Sequence, residues 1–163
     1  MEVAILSDIH DNIWNLERAL DELNKRKAQR LLFLGDFCAP FSLKQLAEGF
    51  SDPIDAIFGN NDGDQFLLAT IAADHANVTL HGQFAELKIE SKSIAMNHYP
   101  GIARGLAHGD YDAVFYGHDH TPFTGEVGAT LLANPGEIMG RFGSPSFGIY
   151  DTEAQSFRHV PIS

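Results

Sequence analysis

Five short segments carry the residues that could do chemistry: Asp8-Ile9-His10, Gly35-Asp36, Gly59-Asn60-Asn61-Asp62, Asn97-His98 and Gly117-His118-Asp119-His120. Each stands at or just past the end of a short apolar run, such as Val3-Ala4-Ile5-Leu6 before Asp8 and Ala113-Val114-Phe115-Tyr116 before Gly117. Carboxylate oxygen and neutral imidazole nitrogen are the common protein ligands for first-row divalent metals. In extended backbone, residues i and i+2 point the same way, so this spacing lets His118 and His120 face one centre. A lone His-x-His is weak, because ordinary turns contain it, and Gly-Asp or Asn-Asn-Asp-Gly alone reads as a turn. Recurrence at five strand ends outweighs those separate explanations. Donors from Asp8, His10, Asp36, Asn60, His98, His118 and His120 suit two divalent cations sharing a carboxylate, an arrangement that hydrolyses esters with ions about 3.5–4 Å apart.

The elements that must position these donors follow from the pattern. Leu31–Leu34 and Ile54–Phe58 read as further buried strands, alternating with helices over about Asp11 or Asn12 to Arg26, Ser42 to Phe50 and Asp64 to Ala73. From Val78 onward the pattern is mostly β. Strands are expected at Val78–Leu80, Phe84–Ile89, Ser93–Met96, Ala113–Tyr116, Phe123–Val127, Thr130–Ala133, Phe147–Asp151 and Phe157–Val160, with one short helix over Ile102–Ala107. The expected fold class is α/β, two packed mixed sheets with helices outside. The donors then collect at the carboxyl edge of the strands, where open α/β sheets bind ligands.

With no linker, repeat or low-complexity tract, residues 1–163 read as one domain. No apolar run approaches the ~20 residues of a membrane span. Met1 leads straight into a strand without a signal-peptide pattern, so the cytoplasm is the expected compartment. The single Cys38 excludes an internal disulfide. A formal charge of −11 disfavours long nucleic acid and anionic membrane as partners. It does not exclude a small phosphate ester if metal ions supply local positive charge. Nothing in the sequence indicates an oligomeric state.

In order, Asp-x-His, Gly-Asp, Gly-Asn-x-Asp, a lone His after a strand and Gly-His-x-His resemble the calcineurin-like metallophosphoesterases. With Asn134-Pro135-Gly136-Glu137 downstream, the chain is similar to their small single-domain phosphodiesterase branch from Ser7 to about Asp151. The resemblance implies a four-layer αββα sandwich and a dinuclear-metal phosphoesterase, most readily a phosphodiesterase. It implies Asp8, His10 and His120 on one ion, Asn60, His98 and His118 on the other, and Asp36 bridging both. Asp36, Asn60 and His98 would be the catalytic core, with a metal-bridging hydroxide attacking phosphorus. Manganese is the first expectation for the two ions; iron, nickel, cobalt and zinc suit an N/O donor set almost as well.

The chain departs from the family pattern at three places. Asp119 stands where many relatives have Thr, His98-Tyr99-Pro100 replaces His-Gly-His, and Asn61 occupies the position of a proton-donating His. The alternatives are a non-catalytic scaffold of the same fold, as in a retromer subunit that has lost ligands, and a phosphomonoesterase. Among the remaining candidates, Cys38 reads as a buried structural thiol and Asp62 as orienting Asn60 or a helix start. Asn134, Gly136 and Glu137 read as a turn in which Glu137 bonds a histidine ring. Arg104 and Arg141 read as solvated or paired, although each lies close to a motif loop. His75, His81, His108 and His159 read as surface or packing residues, and the stripe with Trp14 and Leu16 as core or an interface edge.

Overall fold

The computed structural model describes residues 1–163. Alternation along β1 (Glu2–Leu6) shows how its layers arise. Val3 and Ile5 face a cluster between two sheets, whereas Ala4 and Leu6 face a cluster against helices, and all four are fully buried. β2 (Arg30–Phe33) repeats the division, with Leu32 on the first side and Leu31 and Phe33 on the second.

β1, β2, β3 (Ile54–Ala56) and β4 (Val78–Leu80) run parallel, as helical crossovers between them require. Their sheet is completed by β10 (Ser146–Asp151) and β11 (Ser156–Pro161) in the order β11-β10-β1-β2-β3-β4. The second sheet contains β5 (Phe84–Ile89), β6 (Lys92–Asn97), β7 (Ala113–Phe115), β8 (Phe123–Val127) and β9 (Thr130–Asn134), ordered β5-β6-β7-β9-β8. Helices α1 (Ile13–Arg26), α2 (Pro40–Gly49) and α3 (Gln65–Asp74) cover the outer face of the first sheet. α4 (Pro100–Leu106) supplies Ala103 to a smaller cluster on the second sheet. The architecture is therefore the expected αββα sandwich.

Local chemistry sets the helix starts. The Asn12 side chain accepts the Asn15 N–H at 3.1 Å and caps α1. Asp11, the other cap candidate, reaches across to the start of α2, where Oδ1 accepts from Ala39 N and Ser42 Oγ, both at 2.8 Å. α2 begins two residues before the expected Ser42, because Pro40 is pre-set for the first turn of a helix. β3 stops at Ala56 and β7 at Phe115, although their apolar runs continue. Burial extends the runs past the strand ends: Ile57 N still donates to the Phe33 carbonyl and Tyr116 N to that of Ala133, and Tyr116 joins the cluster that contains Ala103. No helix is long and apolar enough to cross a membrane.

Candidate metal centre

All five motif loops emerge at one edge shared by the two sheets. Asp8 and His10 follow β1, Asp36 follows β2 and Asn60 follows β3; His98 follows β6, and His118 and His120 follow β7. The Gly117 backbone packs here directly against the side chains of Ser7 and Asp8. A Cβ on Gly117 would lie 2.0 Å from Ser7 Oγ and 2.6 Å from Asp8 Oδ2, so only glycine fits.

The loops are not extended. Asp8, His10, Asp36, His118 and His120 have φ of 56, 44, 63, 73 and 58°, in the left-handed region, at a cost of about 1–3 kcal/mol each. This corrects the expectation that His118 and His120 share a direction. The two rings diverge: His118 Nδ1 lies 2.8 Å from Asn60 Oδ1, and His120 Nε2 lies 3.4 Å from Asp8 Oδ1.

The remaining donors fill the space between those two points. His10 Nε2 is 3.6 Å from Asp8 Oδ1 and 3.4 Å from Asp36 Oδ2, and His98 Nε2 is 3.5 Å from Asp36 Oδ2 and 3.1 Å from Asn60 Oδ1. Most of these separations are long for a hydrogen bond. They are close to those of neighbouring ligands on a single ion, ~3.0–3.4 Å for bonds of about 2.1 Å. Asp8 Oδ1 and His10 Nε2 are buried without any hydrogen-bond partner, a penalty of about 1–3 kcal/mol per group unless something else satisfies them. A cation would satisfy both. Asp8 with His10 and His120, and Asp8 with Asp36 and His98, each bring their donors within 4.8 Å of one another. The donor set therefore fits divalent metal. Asp8, Asp36 and His98 form a buried floor, with Asn60 and His118 exposed at the mouth.

Surrounding groups aim the rings. His98 Nδ1 lies 2.8 Å from the Leu34 carbonyl, which can only accept, so Nδ1 carries a proton and, in the neutral ring, Nε2 is the nitrogen that turns a lone pair into the site. Glu137 Oε2 holds His120 Nδ1 at 2.6 Å, so this carboxylate bonds a histidine ring as expected. Cys38 Sγ lies 3.4 Å from His10 Nδ1, and its half-buried thiol meets that ring, which corrects the reading of a buried structural cysteine. Burial, and then the carboxylates of Asp11 and Asp36, push its pKa up to about 12.

Asn61 is what residue types alone missed. Its backbone N–H and side-chain amide donate to the two oxygens of Asp36, each at 2.8 Å. Asp62 does not reach Asn60; it accepts the N–H groups of Gly59 and Asp36 through Oδ2 and of Cys38 through Oδ1, fastening the second motif loop to the third.

Electrostatics agree with a cation site. Burial raises the Asp36 pKa, but hydrogen bonds from His98 and Asn61 outweigh it and hold the carboxyl well below the usual range. In the metal-free protein Asp8 and then Asp36 raise His10 against desolvation. Burial lowers His98, yet Asp36 and Asp8 carry it net upward.

Other candidates lie elsewhere. His81 Nε2 pairs with Asp55 at 2.8 Å, His75 Nδ1 meets the Ile71 carbonyl and His159 Nε2 the Asn134 carbonyl. Arg104 stands beside Tyr116. Within the Trp14 and Leu16 stripe, Leu16 is core and Trp14 is 67% exposed.

A family model described as the calcineurin-like phosphoesterase superfamily domain matches residues 1–155. The chain is 31% identical to phosphodiesterase MJ0936 of Methanocaldococcus jannaschii, with 99% of each covered. It is 28% identical to phosphodiesterase YfcE of Escherichia coli, over 96% of this chain and 90% of that one. Among solved structures, a novel archaeal phosphodiesterase superposes with a TM-score of 0.91 at 31% identity, covering 99% of both chains. Vps29 of Entamoeba histolytica complexed with zinc superposes at 0.70 and 20% identity over 100% of both chains, a likeness of fold alone.

Proposed function

The chain belongs to the calcineurin-like phosphoesterase superfamily, and we propose that it is a dinuclear-metal-dependent phosphodiesterase acting on a small phosphodiester. The observation that carries this reading is the pair of buried, partnerless donors, Asp8 Oδ1 and His10 Nε2, inside a converging set of carboxylates and imidazoles. Asp8, His10 and His120 would hold one ion and Asn60, His98 and His118 the other, with Asp36 available to both; manganese is the first candidate. The chain works as one unit, residues 1–163, since both sheets contribute donors.

When bound, such ions supply positive charge to the phosphoryl oxygens and lower the pKa of the attacking water. The protein's own part is positioning. Leu34, Glu137 and Cys38 fix the rings of His98, His120 and His10 so that each Nε2 faces the site. Asn61 and the fastened second and third loops hold Asp36 in one orientation. The exposed Asn60 and His118 lie where a phosphate enters.

The net charge of −11 opposes long polyanions, so a small ester is the natural substrate. A scaffold needs no such donors, and the complete set argues against one. Chelation should abolish hydrolysis of bis(p-nitrophenyl) phosphate, and manganese should restore it, with p-nitrophenyl phosphate turned over more slowly. Full activity in a verified metal-free sample would overturn the reading.

A further inference from the structure

Glu137 divides its two oxygens between two tasks. Oε2 holds His120, whereas Oε1 accepts the backbone N–H groups of Phe142 at 2.6 Å and Gly143 at 2.8 Å. The carboxylate is only 1% exposed, so the turn after β9 is fixed to the same group that aims a proposed metal ligand. The approach to this turn is also tied down: Ile138 N donates to the Ser7 carbonyl, and Met139 N to that of Asp8.

The turn presents Phe142 beside the site. Its ring centroid lies 5.1 Å from that of His120, nearly perpendicular at 85°, and yet the residue is 71% exposed. The Arg141 guanidinium sits 5.4 Å from the ring centroid. A pinned aromatic side chain with bare apolar surface, one ring away from Asp8 and accompanied by a cation, is equipped for a planar organic group attached to an anion. A small alkyl group would cover little of it.

We propose that the Arg141–Phe142 turn is the ester-group subsite, in which Phe142 packs against an aromatic substituent of the phosphodiester. This rests on the phosphodiesterase reading and names the substrate class: diesters bearing an aryl or heteroaromatic group. Phe142 then acts on substrate binding and not on the chemical step. Loss of such a stacking contact lowers affinity by about tenfold.

The test compares wild type, Phe142→Ala and Phe142→Trp, each loaded with manganese. Two diester analogues that are slow to react because methoxide is a poor leaving group, methyl phenylphosphonate and methyl methylphosphonate, are titrated calorimetrically and used as inhibitors of bis(p-nitrophenyl) phosphate hydrolysis. Wild type should bind the phenyl analogue about tenfold more tightly than the methyl one. Phe142→Ala should bring the two affinities together and raise KM with kcat within about twofold, and Phe142→Trp should restore the preference. An unchanged preference in Phe142→Ala, or a loss confined to kcat, would overturn the subsite. So would an unchanged preference with an altered solution mass, which would assign the ring to a contact between copies. If wild type hydrolyses the diester with metal but shows no phenyl preference, the subsite alone fails. If it binds neither analogue and hydrolyses no diester, the phosphodiesterase reading fails and the subsite with it.

Discussion

Asn61 grips both oxygens of Asp36, with its backbone N–H 2.8 Å from Oδ1 and its side-chain amide 2.8 Å from Oδ2. Where relatives are expected to place a proton donor, this chain has a residue that positions the proposed bridging carboxylate. Asn61→Ala should therefore weaken divalent binding by about tenfold or more, as loss of a ligand-orienting hydrogen bond typically does. A competition titration with a metallochromic dye measures it. Unchanged affinity would mean that Asp36 needs no such support.

Leaving-group protonation should be largely unassisted. The Asn61 amide is engaged by Asp36, and Asp119 Oδ1 serves as an acceptor for Asn134 Nδ2 at 2.7 Å and Thr121 N at 3.2 Å. A general acid contributes about 10²–10⁴-fold where the leaving group is poor. Without one, kcat/KM should fall steeply as leaving-group pKa rises across a series of substituted aryl phosphodiesters. A shallow dependence would show that another group supplies the proton.

Gly117 packs directly against Ser7 and Asp8, and Gly117→Ala should cost both stability and metal. The added Cβ would sit 2.0 Å from Ser7 Oγ and 2.6 Å from Asp8 Oδ2, an overlap that must displace those buried side chains, one of them a proposed metal ligand. Overpacking of this kind costs about 1–3 kcal/mol. Denaturant unfolding with and without manganese should show a lower midpoint and a smaller metal-induced rise than wild type. Gly128→Ala provides the control, because no atom lies within 4 Å of its added Cβ. Its positive φ costs backbone strain alone, so the metal-induced rise should survive there.

The convergence of the candidate donors was legible because each motif is local: an apolar run, a glycine or turn residue, then a side chain of ligand type. The sandwich was legible for the same reason, since runs such as Val3–Leu6 and Leu31–Leu34 must be covered on both faces. What the sequence did not reveal depends on contacts across the chain. Asn61 meets Asp36 from 25 residues away and Cys38 meets His10 from 28, and no periodicity records either. The left-handed backbone at Asp8, His10, His118 and His120 was hidden too, because no glycine occupies those positions. That is why the His118 and His120 spacing suggested one direction when the rings take two.

Away from the site, Asp112 should make stability pH-dependent. Its carboxylate accepts Ser93 N at 2.9 Å and Gln155 Nε2 at 3.0 Å and pairs with Lys92, and the Ser93 bond is the main cause of its lowered pKa. Because the folded value lies below the unfolded one of about 3.9, the stabilisation is complete above that value. It is lost as pH falls through the folded value. Asp112→Asn should lower the thermal midpoint at pH 7 more than at pH 3, measured on metal-free protein. An equal loss at both would assign the effect to packing.

Metal stoichiometry is the most direct test of the dinuclear centre. Calorimetric titration of metal-free protein with manganese, checked by elemental analysis, should give two ions per chain. Asp36→Asn should weaken both by at least about 100-fold, beyond the loss expected for a mere orienting group, while Asp119→Asn keeps two. A single ion in wild type, or equal losses in the two variants, would contradict the account.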